Sequence, residues 1–122
     1  MPHPLQCWIR DMTAEERAYV AGIIDGEGNF SLTRKDAKTK HPLVVIRNTD
    51  KNLMLYISEL LYVKNKVTTY DPPHPRKRVY QLTVSSKGNV KSLLAQISPY
   101  LQTKDKITKA KLLLKACKPG LE

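Results

Sequence analysis

Cysteine is scarce in this 122-residue chain: only Cys7 and Cys117 occur, near opposite ends. With no CxxC and no paired Cys/His spacing, a structural zinc site has no ligands to work with. Free thiols in an intracellular compartment are the simplest expectation. No apolar run is long enough for a membrane-spanning helix. The opening "MPHPLQCWIRDM" lacks the basic-then-apolar layout of a secretory signal. Acids are also in short supply, 11 against 21 lysines and arginines, for a formal net charge of +10. The cations are spread along the chain, so the expected partner of a folded domain is a polyanion, nucleic acid before membrane. The length points to one domain over 1–122, with 1–12 as an N-terminal arm.

What is present is regular patterning. "MTAEERAYVAGIID" opens with capping-box spacing at Thr13 and Glu16, and predicts a helix from about Ala14 to Asp25, stopped by the glycines at 26 and 28. "NFSLTRK" alternates as a strand, with Asn29, Ser31, Thr33 and Lys35 on one face and Phe30 and Leu32 on the other. "LVVIRN" is a second strand, and Thr49 or Asp50 caps a helix carrying Leu53, Ile57, Leu60 and Leu61. "KVTTY" and "RVYQLTV" are further strands around the basic loop "DPPHPRK". A helix with Val90, Leu93, Leu94 and Ile97 ends at Pro99, and a last helix runs from about Asp105 to Cys117.

The order α-β-β-α-β-β-α-α predicts an α+β domain: a four-stranded antiparallel sheet with helices over its apolar face. The other face displays Asn29, Ser31, Thr33, Lys35, Gln81 and Thr83, with Arg76, Lys77 and Arg78 close by. A twisted antiparallel ribbon of such side chains can enter a DNA major groove. Arg47 ends a strand and can meet bases or solvent. Lys106, with Lys109 and Lys111, can meet phosphates or solvent. His41 and His74 stand beside prolines with no acidic neighbour in sequence, and read as loop residues. Tyr19, Tyr80 and Tyr100 read as core.

The stretch "AGIIDGEG", residues 21–28, holds three glycines among its eight residues. Each glycine in a helix interior costs about 1 kcal/mol relative to alanine. Ala18, Gly22 and Gly26 line one helix face, flanked by Ala21 and Asp25. Such a small stripe lets two helix backbones approach closely. The chain has no second copy of the stripe, so the simplest partner is the same helix in a second subunit. Glu27 from each subunit would then converge near the two-fold axis. Paired carboxylates at helix C-termini repel and call for a hard divalent cation such as Mg2+. Asp25 would accept hydrogen bonds from backbone N–H groups in the turn or the facing helix.

"VAGIIDGEG", Val20 to Gly28, resembles the signature of the LAGLIDADG homing endonucleases. Each substitution keeps the chemistry: apolar for apolar, small for small, acid for acid. "NTDK" at 48–51 resembles the family's second-helix entry, and "PYLQTKDK" at 99–106 its Pro-aromatic-Leu and lysine segment. The resemblance implies a single-motif homodimer that cleaves both strands of a long, near-palindromic double-stranded DNA site. It implies metal binding by Glu27 with the Gly26 carbonyl, a charge-stabilising or water-activating Lys104, and Asn48 or Thr49 beside the water network. Mg2+ is the implied cofactor, with Mn2+ or Ca2+ as substitutes for binding, and neither a membrane nor a small-molecule substrate is implied. The expected location is a prokaryotic cytoplasm or an organelle. The alternative is a family member that does not cut, a maturase or a DNA- or RNA-binding regulator.

Overall fold

The computed structural model describes residues 9–34, 40–61 and 67–117. Helix α1 spans Ala14–Glu27. Its capping box is complete: Glu16 N–H donates to Thr13 Oγ1 at 3.2 Å and Thr13 N–H to Glu16 Oε1 at 2.9 Å. Strands β1 (Gly28–Arg34) and β2 (Lys40–Asn48) follow, then α2 (Lys51–Leu61). Next come β3 (Thr68–Tyr70), β4 (Val79–Val84) and α3 (Lys87–Ile97). A 3-10 turn at Ser98–Tyr100 leads to α4 (Lys104–Ala116). The sheet is antiparallel in the order β1-β2-β4-β3, and the α+β layering is the one the alternation predicts.

Two boundaries differ from the sequence expectation. Gly26 does not stop α1, which continues through Glu27. The exit is Gly28, whose backbone is extended (φ −86°, ψ 162°). A Cβ there would stand 2.8 Å from Ile24 Cγ2 and 2.9 Å from Ile24 O, so only glycine permits the helix to pass this tightly into β1. Strand β2 starts three residues early and includes His41 and Pro42, so His41 is not a loop residue. β4 ends at Val84 opposite Val44, which leaves β2 a single neighbour at Pro42, where a strand proline is tolerated.

The core lies between the sheet's inner face and the helices. Phe30, Val44, Ile46, Leu82 and Val84 from the sheet meet Val20, Ala21 and Ile24 of α1, Ile57 and Leu61 of α2, and Val90, Leu93, Leu94 and Ile97 of α3. Ala110 and Leu113 of α4 close it. The residues preceding α1 are tied down by polar bonds rather than by apolar contact alone. Buried Gln96 accepts from Met12 N–H at 2.8 Å and donates to Arg10 O at 3.0 Å. Arg10 in turn donates to the terminal carbonyls of α2, from N–H to Leu61 O and from Nε to Leu60 O, which satisfies C-terminal acceptors that a helix cannot pair itself. Tyr80 and Tyr100 pack against the core as expected. Tyr19 does not: it is 44% exposed, edge-on to Tyr56 with ring centroids 5.7 Å apart.

Candidate nucleic-acid interface

The strand register shows which side chains share the sheet's outer face. One row crosses Asn29, Val45 and Thr83; another crosses Arg47, Gln81 and Thr68; Ser31 sits opposite Leu43 and Thr33 opposite His41. Asn29, Ser31, Thr33, Arg47, Gln81 and Thr83 are therefore brought together as the alternation predicts. Lys35 lies outside the described residues. The face has a feature the sequence did not disclose: Val45 is buried on this side, flanked by Asn29 and Thr83. The run "LVVI" does not alternate, so only the pairing with β1 reveals that Val44 faces the helices and Val45 the outer side. Thr68 and Tyr70 also join this face, Tyr70 being 58% exposed.

The polar side chains are linked. Arg47 Nε donates to Gln81 Oε1 at 2.6 Å, and Gln81 Nε2 donates to Thr83 Oγ1 at 3.3 Å. In the loop between β3 and β4, Arg78 is bound in two-pronged fashion by Asp71, with Nε–Oδ1 2.7 Å and Nη2–Oδ2 3.3 Å. That guanidinium holds the Asp71 carboxyl below the usual carboxylate range. Arg78 thus has its charge partly answered within the chain. Arg76 and Lys77 are exposed and, with Thr49, Tyr70, Pro72 and Val79, line a hollow at the sheet's edge.

The second cluster is at the C-terminal end of α1. Asp25 accepts from Gln102 N–H at 2.9 Å, Thr103 N–H at 3.2 Å and Thr103 Oγ1 at 3.0 Å. Burial pushes the Asp25 carboxyl up, but these three bonds, with Lys106 nearby, outweigh it and hold it below the ordinary range. Thr103 is also the N-cap of α4. Asp25, two residues before Glu27, therefore fastens the start of α4, and with it exposed Lys104. The other approach to this corner is through the sheet: Gly28, the residue after Glu27, pairs with Ile46, the residue before Arg47. Asn48 Oδ1 accepts from Asp50 N–H at 2.8 Å, and Asp50 Oδ1 accepts from Leu53 N–H at 3.1 Å as the cap of α2. Asn48 thereby shapes the turn, while Thr49 stays exposed.

Along α1, Ala18, Gly22 and Gly26 are exposed, and a Cβ at either glycine would meet nothing within 4 Å. The small stripe thus faces outward. Ala21 departs from the expectation: it is fully buried in the chain's own core, because it lies on the Val20–Ile24 side of the helix. Asp25 accepts from backbone N–H groups as expected, but the donors are Gln102 and Thr103, at the start of α4 in the same chain. Glu27 is exposed. Among the described residues, no group of three or more His, Cys, Asp or Glu gathers to hold a metal ion. The exposed Glu27 carboxylate at the end of α1 has the hard oxygen chemistry that a divalent ion prefers.

The polar sheet face and the acidic end of α1 thus belong to one antiparallel α+β scaffold. A family model described as the LAGLIDADG-like domain matches residues 14–98, and the chain belongs to that family. Its fold is that of solved homing endonucleases. The structure of I-CvuI in complex with the I-CreI target is 22% identical, with a TM-score of 0.62 over 83% of this chain and 64% of that chain. I-GzeII in complex with a DNA target is 18% identical, TM-score 0.66, over 86% of this chain and 35% of that chain. I-TnaI is 18% identical, TM-score 0.62, over 87% and 71%. The chain thus spans under two thirds of the length of the first two. No curated protein sequence matches.

Proposed function

We propose that this chain is a site-specific DNA endonuclease that works as a homodimer on a long, near-palindromic duplex. The observation that carries the reading is the outward, unfilled small stripe of α1, which ends at exposed Glu27 beside a polar, basic sheet face. Two copies joined along Ala18, Gly22 and Gly26 bring two Glu27 carboxylates together at the centre of a paired sheet surface.

Glu27 and its counterpart, with the Gly26 carbonyl, would hold the divalent cation. Mg2+ fits this oxygen donor set, and Mn2+ or Ca2+ would substitute for binding. Such an ion supplies a polarised phosphoryl oxygen and a more acidic bound water. The chain's own groups do the rest. Lys104, held at this corner by the Asp25–Thr103 bonds, places an ammonium where negative charge grows on phosphate. Thr49 offers a hydroxyl to the surrounding water. The attacking water gives up a proton to the surrounding water as its oxygen bonds to phosphorus, one bridging P–O bond breaks, and the departing oxygen takes up a proton from solvent. Asn29, Ser31, Thr33 and Thr83 meet base edges, whereas Arg76, Lys77 and Lys106 meet phosphates. The reaction belongs in a DNA-containing compartment, a prokaryotic cytoplasm or an organelle.

The test compares the chain with Glu27→Gln on DNA from a library of candidate sites in the presence of Mg2+. Cleavage by the parent and none by the variant is expected. Equal rates would remove Glu27 from the mechanism. Tight duplex binding without cleavage under any divalent ion would place the chain among non-cutting members of the family.

A further inference from the structure

We infer that Arg47 contacts the DNA backbone at the cutting end of the sheet, that Gln81 is its positioning residue, and that neither reads a base; this rests on the duplex-binding reading above. Residue type alone would give the opposite assignment. Arginine pairs with guanine O6 and N7 in the major groove, and glutamine pairs two-pronged with adenine.

Both ends of the Gln81 amide are engaged. Its Oε1 accepts from Arg47 Nε at 2.6 Å, and its Nε2 donates to Thr83 Oγ1 at 3.3 Å. Arginine has no acceptor, so the amide atom facing it is the oxygen, and chemistry fixes which way the amide points. A two-pronged adenine contact would be left the second lone pair of Oε1 and the second hydrogen of Nε2, with the plane of the amide already set by Arg47 and Thr83. The strand beneath is tied as well, since Thr68 Oγ1 donates to Gln81 O at 3.4 Å. Gln81 is therefore a fixture of the sheet surface, holding its neighbour.

Arg47 is exposed and forms no ion pair among the described residues. With Nε held by Gln81, its terminal nitrogens are the edge left to point outward, as a planar fork suited to phosphate oxygens. Its place selects phosphate over base. The β1–β2 ladder closes at Gly28 opposite Ile46; Glu27 comes just before that pair, at the end of α1, and Arg47 just after it in β2. Asn29, Ser31 and Thr33 run away from that end along the sheet. The strand residue at the acid's end of the sheet meets the strand that the acid cuts, and a strand presents phosphate there.

The test needs no cleavage. A randomised duplex library is selected in EDTA by the parent, Arg47→Ala and Gln81→Met. Affinity for the parent's enriched duplex is then measured against salt. Base preferences should be the same for all three proteins. Arg47→Ala should lower the slope of log Kd against log salt by about 0.9 per chain. Gln81→Met should weaken binding roughly fivefold in the parent and leave the Arg47→Ala variant unchanged, as loss of one positioning bond predicts. Loss of a preference at one base pair in either variant overturns the assignment. An equal effect of Gln81→Met in both backgrounds overturns the positioning role. A parent that enriches no sequence removes the endonuclease reading and this inference with it.

Discussion

Asp25→Asn separates what the second acid of the motif does from what the first does. The substitution is isosteric, but a neutral amide keeps a single acceptor oxygen and places an NH2 against donors. The carboxylate accepts from Gln102 N–H, Thr103 N–H and Thr103 Oγ1 at 2.9, 3.2 and 3.0 Å. Bonds to a charged acceptor contribute about 1.5–3 kcal/mol each, and partial exposure of the site reduces this. Both Thr103 bonds go to one oxygen, so an amide that keeps its oxygen there loses only the Gln102 bond; the net loss is about 2 kcal/mol, or roughly 8 °C in Tm for a chain of this size. The sign of the pH dependence follows from the carboxyl being held below its ordinary value. The stabilisation is full above the unfolded pKa, about 3.9, and is lost as pH falls through the folded value. Urea melts of parent and variant should differ at pH 7 and converge in acid. Identical midpoints at pH 7, or a gap that survives undiminished at pH 2, would refute the clamp.

The remaining predictions are simpler. A Cβ added at Gly22 or Gly26 meets nothing within 4 Å, so leucine at both should leave folding intact while light scattering shows monomers; a surviving dimer would exclude the stripe from the interface. Gly28→Ala forces a Cβ to 2.8 Å from Ile24 Cγ2 and should lower Tm by several degrees; an unchanged melt would show that α1 can leave for β1 another way. Burial pushes the Cys117 thiol up. Alkylation at pH 7 should therefore be much slower in the folded protein than in urea, and equal rates would contradict its placement in the core.

Much of this arrangement was legible because the sequence announces it locally. The capping box at Thr13 and Glu16, the alternation in β1 and β4, and the apolar spacing of α3 each depend on neighbours within a turn or two. What was missed depends on partners far along the chain. The direction of Ala21 follows from which side of α1 meets the sheet. The site of helix exit follows from Ile24 pressing on Gly28. Val45 is turned outward by its pairing with Asn29, which no periodicity in "LVVI" encodes. At the candidate site, the acid, lysine and polar turn residues were visible through the motif. The Asp25–Thr103 clamp, spanning 78 positions, was visible only as an acceptor in search of donors.

The strict two-sidedness of β1 carries a practical corollary. Phe30 is locked into packing, whereas Asn29 and Thr33 are exposed on the other face, Thr33 Oγ1 donating to His41 O at 3.4 Å. On the proposed reading, preference for a new duplex can be written into these odd-numbered positions while the even-numbered ones, and the helix that bears the acid, keep their shape. Val45 is the exception: it is wedged between its neighbours, so any change there alters recognition and rigidity together.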